Sequence, residues 1–113
     1  MKTGAELIAQ ERQRQIDVKG WDAEHDDEHT EGELAMAAVC YASPRLIYTR
    51  DERATGVMFF DPWPWEDRYD KRYRYPTGNT LPKPSGYSKE ERLEFLVKAG
   101  ALVAAEIDRL QRQ

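Results

Sequence analysis

The run Glu24-His25-Asp26-Asp27-Glu28-His29 puts two imidazoles four residues apart with carboxylates between them. On a helix that spacing turns both rings to one face, where they could bind zinc or manganese. The zinc proteases, however, carry their general-base Glu directly after the first His. Here Asp26 follows His25, and no third ligand is evident. The plainer reading is an acidic loop leading into a helix, its carboxylates lying near the positive N-terminal end of that helix.

Paired carboxylates suggest a second chemistry. Glu28-x-x-Glu31, Glu91-x-x-Glu94 and the nearby Glu33 resemble the Glu-x-x-Glu and Glu-x-x-Asp pairs of the MazG-like all-α nucleoside triphosphate pyrophosphohydrolases. Those enzymes hold magnesium between facing pairs, and sparse carboxylates suffice because magnesium keeps several of its waters. The chain departs from that pattern at Leu34-Ala35-Met36-Ala37-Ala38, which is free of carboxylates where the enzymes carry a dense run of glutamates. Solvated helix faces explain these acids more simply. Magnesium is expected only under this alternative, and otherwise no cofactor is.

The stretch from Trp63 to Lys83 interleaves Trp63, Trp65, Tyr69, Tyr73 and Tyr75 with Arg68, Lys71, Arg72, Arg74 and Lys83. Aromatic faces stack on bases, and guanidinium groups fork onto phosphate oxygens. Asn79, in the Gly78-Asn79 turn, could read a base edge or a ribose hydroxyl. The competing structural reading is a hairpin whose aromatics pack on helices under a cover of Arg and Lys stems. The formal net charge is −4. Residues 1–41 carry four basic and ten acidic side chains, whereas residues 42–87 carry eight and six. A long single-stranded nucleic acid asks for a stronger positive field than that. A small nucleotide with a few phosphates suits the local balance better.

No Ser-His-Asp order, phosphate-binding glycine loop or paired cysteine motif accompanies these residues, so acyl transfer has no support. Cys40, the single cysteine, lies beside Tyr41 on an apolar helix and reads as a core residue.

The elements that must position these groups begin with three repeats of one signal. Thr3…Glu6, Thr30…Glu33 and Ser88…Glu91 each pair a hydroxyl with a Glu three residues on. This is the capping box that opens a helix. A first helix is expected from about Gly4 to Val18, stopped by Gly20, with Ala5, Ile8, Ala9, Arg12 and Ile16 inward. A second is expected from about Glu31 to Ala42. In the third, Leu93, Leu96, Gly100, Val103, Ile107 and Leu110 take successive a/d positions, which suits an intramolecular bundle or a dimer seam. Gly100, Ala101, Ala104 and Ala105 keep that helix slim enough for another to approach closely.

Between the second and third helices, residues 42–87 hold all six prolines and nine of the twelve aromatics. So long a connection carries structure or function of its own. Val57-Met58-Phe59-Phe60 reads as a strand, with Asp67 to Tyr75 as its partner and Thr77-Gly78-Asn79-Thr80 as a turn. Asp61-Pro62-Trp63-Pro64-Trp65 is too rich in proline for a central strand and reads as an edge or extended platform. The expected fold is α+β: three helices in one domain spanning residues 1–113, with a small aromatic-rich β insert at residues 43–87.

With 113 residues, the chain has room for one such domain. Its mean hydropathy of −0.85 is offset by 11% aromatics, so disorder is not expected. No apolar run approaches a bilayer-spanning length, and no charged-then-apolar leader opens the sequence. A cytoplasmic location is therefore the expectation.

Two stretches resemble a group of small phage and prophage proteins. They are Glu11 to Gln15 through Gly20-Trp21 to Asp27, and Leu96 to Leu102 through to Leu110, joined by Asp61-Pro62-Trp63-Pro64-Trp65. In general design the chain also resembles the Thoeris anti-defence family of phage sponges. These bind cyclic ADP-ribose-type immune signals without cleaving them, and some members also hold cyclic oligonucleotides. The resemblance implies a small, oligomeric α+β protomer with pockets built from helix arginines, an aromatic and an asparagine. The positions that match in residue type and order are Arg12 or Arg14, Arg45, Tyr69, Asn79 and Arg92. The implied function is sequestration of a nucleotide-derived signal by a homo-oligomer, a dimer or higher, in the cytoplasm of an infected bacterial cell. The alternatives are the magnesium-dependent pyrophosphohydrolase and an inhibitor that docks on a host protein through exposed tryptophans.

Overall fold

The computed structural model describes residues 1–73 and 87–113. Within them the chain is α+β, with four α-helices and one two-stranded antiparallel sheet. Helix α1 spans Gly4–Asp17, α2 Ala23–Asp27, α3 Glu33–Ala42 and α4 Lys89–Gln111. Strands β1 (Thr49–Arg53) and β2 (Gly56–Phe60) form a hairpin between α3 and α4.

Two of the three expected capping boxes are formed. The Thr3 and Ser88 hydroxyls accept from Glu6 N and Glu91 N, and both glutamates reach back to the cap backbone. The Thr30 box is not. Gly32 caps α3 instead at φ 80°, a left-handed conformation that glycine adopts without the cost a Cβ would bring. The Glu33 carboxylate then accepts from the Glu31 N–H at 2.5 Å. The stretch expected to be a loop contains α2, opened by Asp22, whose carboxylate accepts from His25 N at 3.0 Å.

Helix α4 is the axis of the molecule. Arg92 Nη1 donates to Ala42 O at 2.8 Å, and Arg112 Nη2 reaches Asp27 Oδ1 at 2.7 Å. The first contact sets the C-terminal end of α3 beside the start of α4, and the second holds the end of α2, which leads into α3, at the end of α4, so α3 runs antiparallel to α4. Helix α1 also runs antiparallel to it, with Lys98 beside Glu11 at 3.8 Å and Ile8 lying over Gly100. A Cβ on Gly100 would stand 2.4 Å from Ile8 Cδ1, so the glycine is what lets α1 approach.

The core joins Leu34, Ala37, Ala38 and Tyr41 of α3 to Phe95, Ala99, Leu102 and Ala105 of α4. Alanines on both helices allow close packing. On α1 the inward face differs from expectation: Gln15 is fully buried, Ile8, Arg12 and Ile16 are partly buried, and Ala5 and Ala9 are exposed. On α4 the expected seam faces solvent. Leu93, Leu96, Val103, Ile107 and Leu110 are 42–52% exposed, because the face dominated by alanine and Phe95 is the one that meets α1 and α3.

The strand at Val57–Phe60 is present, but its partner is Thr49–Arg53 rather than Asp67–Tyr75. Arg53 pairs with Gly56 across a two-residue turn. Residues Asp67–Tyr69 and Lys71–Tyr73 form two short 3-10 helices. The expected turn at Thr77–Thr80 lies outside the described residues.

Candidate ligand-binding clefts

Arg72 fastens the segment after the hairpin to the helices. Its side chain is fully buried. The guanidinium reaches both oxygens of Asp61 at 2.8 and 2.9 Å and both of Asp70 at 3.0 and 2.8 Å. Burial works against its charge, but the two carboxylates outweigh this and raise its pKa above the ordinary value. The same guanidinium lies 5.5 Å from the Trp63 ring. Behind it, the Tyr41 hydroxyl accepts from Lys71 N at 3.1 Å, and burial raises its pKa well above the usual phenol range.

This arrangement stands Trp63 and Trp65 up as one wall of a cleft of about 650 Å³. Trp21, His25 and His29 continue the lining beside Trp65, with Tyr41, Leu102 and Tyr69 completing it. The rings touch in sequence. Trp21 stacks on His25 with centroids 5.7 Å apart, His25 meets His29 at 5.0 Å, and His29 meets Trp65 at 5.2 Å. Trp65 and Trp63 pack edge to face at 5.5 Å, and Trp63 meets Tyr41 the same way at 5.4 Å. The buried Trp65 Nε1 has no hydrogen-bond acceptor among the described residues.

The histidines are held by acids rather than by a metal set. His25 Nδ1 lies 3.1 Å from Asp26 Oδ1, and His29 Nδ1 lies 3.3 Å from Glu33 Oε2. No group of three or more His, Cys, Asp or Glu side chains among the described residues is placed to hold a metal ion.

A second, smaller cleft of about 370 Å³ lies between α1 and α4, lined by Glu11, Arg14, Lys19, Lys71, Glu94 and Lys98. Four cations face two carboxylates there. Arg14 grips Glu11 with two bonds of 2.7 and 2.8 Å, and holds its carboxyl below the usual range. Burial is the main cause that pushes Lys98 down, with Arg14 and Lys71 adding to it and Glu11 and Glu94 opposing it. Lys71 joins the clefts: its backbone N–H donates to Tyr41 in the first, and it lines the second.

The six positions singled out in the sequence do not meet in one pocket. Arg12 is turned into the protein, where it donates to Trp21 O at 3.1 Å and Asp26 Oδ2 at 2.7 Å. Arg14 belongs to the second cleft and Tyr69 to the first. Arg92 caps the carbonyl end of α3, and Arg45 is exposed on the segment after that helix. Asn79 lies outside the described residues. The contributions of Trp21, His25 and His29 were missed. Their spacing of four and four is the signal, since it aligns three rings along one side of the chain around α2.

The alternatives meet geometric obstacles. Glu28, Glu31 and Glu33 stand at the end of the bundle where α4 finishes, whereas Glu91 and Glu94 stand where it begins. Most of the length of a 23-residue helix separates them, about 30 Å at 1.5 Å per residue. Trp21, Trp63 and Trp65 are partly buried and packed on the core rather than projecting from it. No family model, curated protein or solved structure matches the chain. No helix among the described residues is long and apolar enough to cross a membrane.

Proposed function

We propose that the protein is a non-catalytic binder of a small nucleotide-derived ligand whose base lies in the ring-lined cleft. The observation that carries this reading is the cleft itself, about 650 Å³ walled by three tryptophans, two tyrosines and two histidines. A volume of this order suits a compact ligand, and aromatic walls with few polar groups favour a flat ring. Each base stacked on an aromatic side chain is worth about 1–3 kcal/mol, and stacking tolerates different bases. The cationic cleft across the Lys71 turn gives phosphates a favourable field.

Sequestration of a cyclic ADP-ribose-type or cyclic oligonucleotide signal, as an anti-defence protein of phage origin in the bacterial cytoplasm, is the biological role proposed for this binding. Calorimetry against cyclic ADP-ribose isomers and cyclic di- and trinucleotides tests it. Micromolar or tighter binding is expected, with unaltered ligand recovered after denaturation. Absence of binding across the panel would overturn the nucleotide reading, and a cleaved product would overturn sequestration.

A further inference from the structure

From the cleft between α1 and α4 we infer a binding site for a multiply charged oxyanion of the phosphate class, centred on Lys98 with Lys71 and Arg14 beside it. The observation that carries the inference is the saturation of Glu11. Its Oε1 accepts from Arg14 Nε at 2.7 Å, and its Oε2 accepts from Arg14 Nη2 at 2.8 Å and Gln15 Nε2 at 3.2 Å. The Lys98 ammonium stands 3.8 Å from that same Oε2, beyond hydrogen-bond distance, with only 17% of its side chain exposed. An ammonium carries three donors and no acceptor. Lys98 is thus largely buried with no hydrogen-bonding carboxylate among the described residues.

The surrounding charges favour an anion. Arg14 is matched by Glu11, which leaves Lys19, Lys71 and Lys98 facing the exposed Glu94. Burial, Arg14 and Lys71 push Lys98 below the ordinary lysine range, and Glu11 and Glu94 offset them only in part. A dianion supplies acceptors to the ammonium and counters the neighbouring cations at one stroke. The groups also come from three elements: Arg14 from α1, Lys98 from α4, and Lys71 from the start of the second 3-10 helix. They converge on one cleft rather than forming a solvated row along a single helix. Its volume of about 370 Å³ equals that of roughly a dozen waters, enough for a phosphate and part of its hydration. The inference goes beyond the ligand reading, because it needs no stacked base.

Trace acetylation of the native full chain with acetic anhydride, read by peptide mass spectrometry, tests the site without a variant. Inorganic phosphate and pyrophosphate should slow acetylation of Lys98 several-fold. Chloride at matched ionic strength should not, and the exposed Lys2 and Lys89 should be unaffected by any of the three. In phosphorus NMR titrations, Lys98→Met should weaken phosphate binding about tenfold or more, the worth of hydrogen bonds to a charged group, while Trp65→Ala leaves it unchanged. Protection spread evenly over all lysines, binding that survives Lys98→Met, or no phosphate binding at millimolar concentration would each overturn the inference. Adenosine monophosphate separates two sources of the same chemistry. Affinity equal to that of phosphate supports a site for the free anion. Tighter binding that Trp65→Ala cancels supports a phosphate carried by a ring-bound nucleotide. Failure of the cyclic nucleotide panel would leave this site standing, and failure of phosphate to bind would leave the stacking cleft standing.

Discussion

Arg12 and Asp26 meet at 2.7 Å, with 13% and 1% of their side chains exposed. The contact ties α1 to α2, and the second donor of Arg12 holds the Trp21 carbonyl at 3.1 Å. An arginine on an otherwise apolar stripe is thus a brace for one wall of the cleft. Removing one partner leaves a buried charge without its counterion, which typically costs about 3–5 kcal/mol, whereas replacing both with apolar groups is often nearly neutral. In urea titrations, Arg12→Met alone should therefore lose about 3 kcal/mol or more. Arg12→Met with Asp26→Leu should recover most of that loss. A direct ligand role for Arg12 would show instead as lost binding at unchanged stability.

Arg72 should be the least replaceable residue of the central segment. Its guanidinium neutralises Asp70, whose side chain is 2% exposed, as well as Asp61. Arg72→Met should cost about 3–5 kcal/mol by the same argument and shift tryptophan emission to the red as Trp63 loses its cover. Arg72→Lys keeps the charge but not the fork that spans two carboxylates, so it should fall between the two.

These two arginines also show how far the sequence is legible. Local signals with a short physical range were readable. Thr3 and Ser88 open helices because hydroxyl, backbone and Glu sit within one turn, and Val57–Phe60 is a strand by composition. Interactions decided by distant partners were not. Thr49–Arg53 is charged at four consecutive positions and carries no strand signal of its own, yet it pairs with Gly56–Phe60 because a two-residue turn brings it there. Arg12 looked available for phosphate until Asp26, fourteen residues on, met it. The period of α4 was legible as a stripe, but periodicity alone does not tell which of two faces the rest of the chain covers. On α4 three alanines together with Phe95 and Leu102 took the core, and Leu93, Leu96, Val103, Ile107 and Leu110 were left outside.

The ring-lined cleft makes a separable prediction about binding. Trp65→Ala and Trp21→Ala should each weaken the affinity for a nucleotide ligand by the worth of one stack, about 1–3 kcal/mol, or roughly 5- to 150-fold in Kd. Arg45→Ala and Arg92→Ala should leave it within a factor of about two, since neither side chain lines the cleft. Titration calorimetry on the four variants distinguishes this site from a pocket assembled around the arginines.

Cys40 should report on unfolding rather than on function. It is fully buried, and burial pushes its thiol from 9.0 up to about 11. At pH 8 the native protein should resist alkylation and the urea-unfolded chain should react at once. Because the folded pKa is the higher one, the unfolded state ionises first, and stability falls as pH rises from about 9 toward 11. The loss should be roughly 2–3 kcal/mol over that window. Cys40→Ala should flatten this part of the stability–pH curve, although Tyr41, also raised by burial, acts in the same direction at higher pH.

Gly100 and Ile8 give a prediction whose sign depends on the partner. In an ordinary helix interior, replacing glycine with alanine stabilises by about 1 kcal/mol. Here the new Cβ would stand 2.4 Å from Ile8 Cδ1 and 2.7 Å from Cγ1. Moving the tip of the isoleucine is not enough, because Cγ1 lies next to its branch point and Cγ2 is also close at 3.2 Å. The chain must separate α1 from α4 or force the isoleucine off its rotamer, at a cost of about 1–3 kcal/mol. Gly100→Ala should therefore be destabilising by thermal or urea denaturation. In an Ile8→Ala background the obstruction is gone, and the same substitution should stabilise by up to about 1 kcal/mol, the ordinary helix preference for alanine. Additivity of the two changes would mean that Ile8 does not occupy the space above Gly100, and that α1 approaches α4 along some other line.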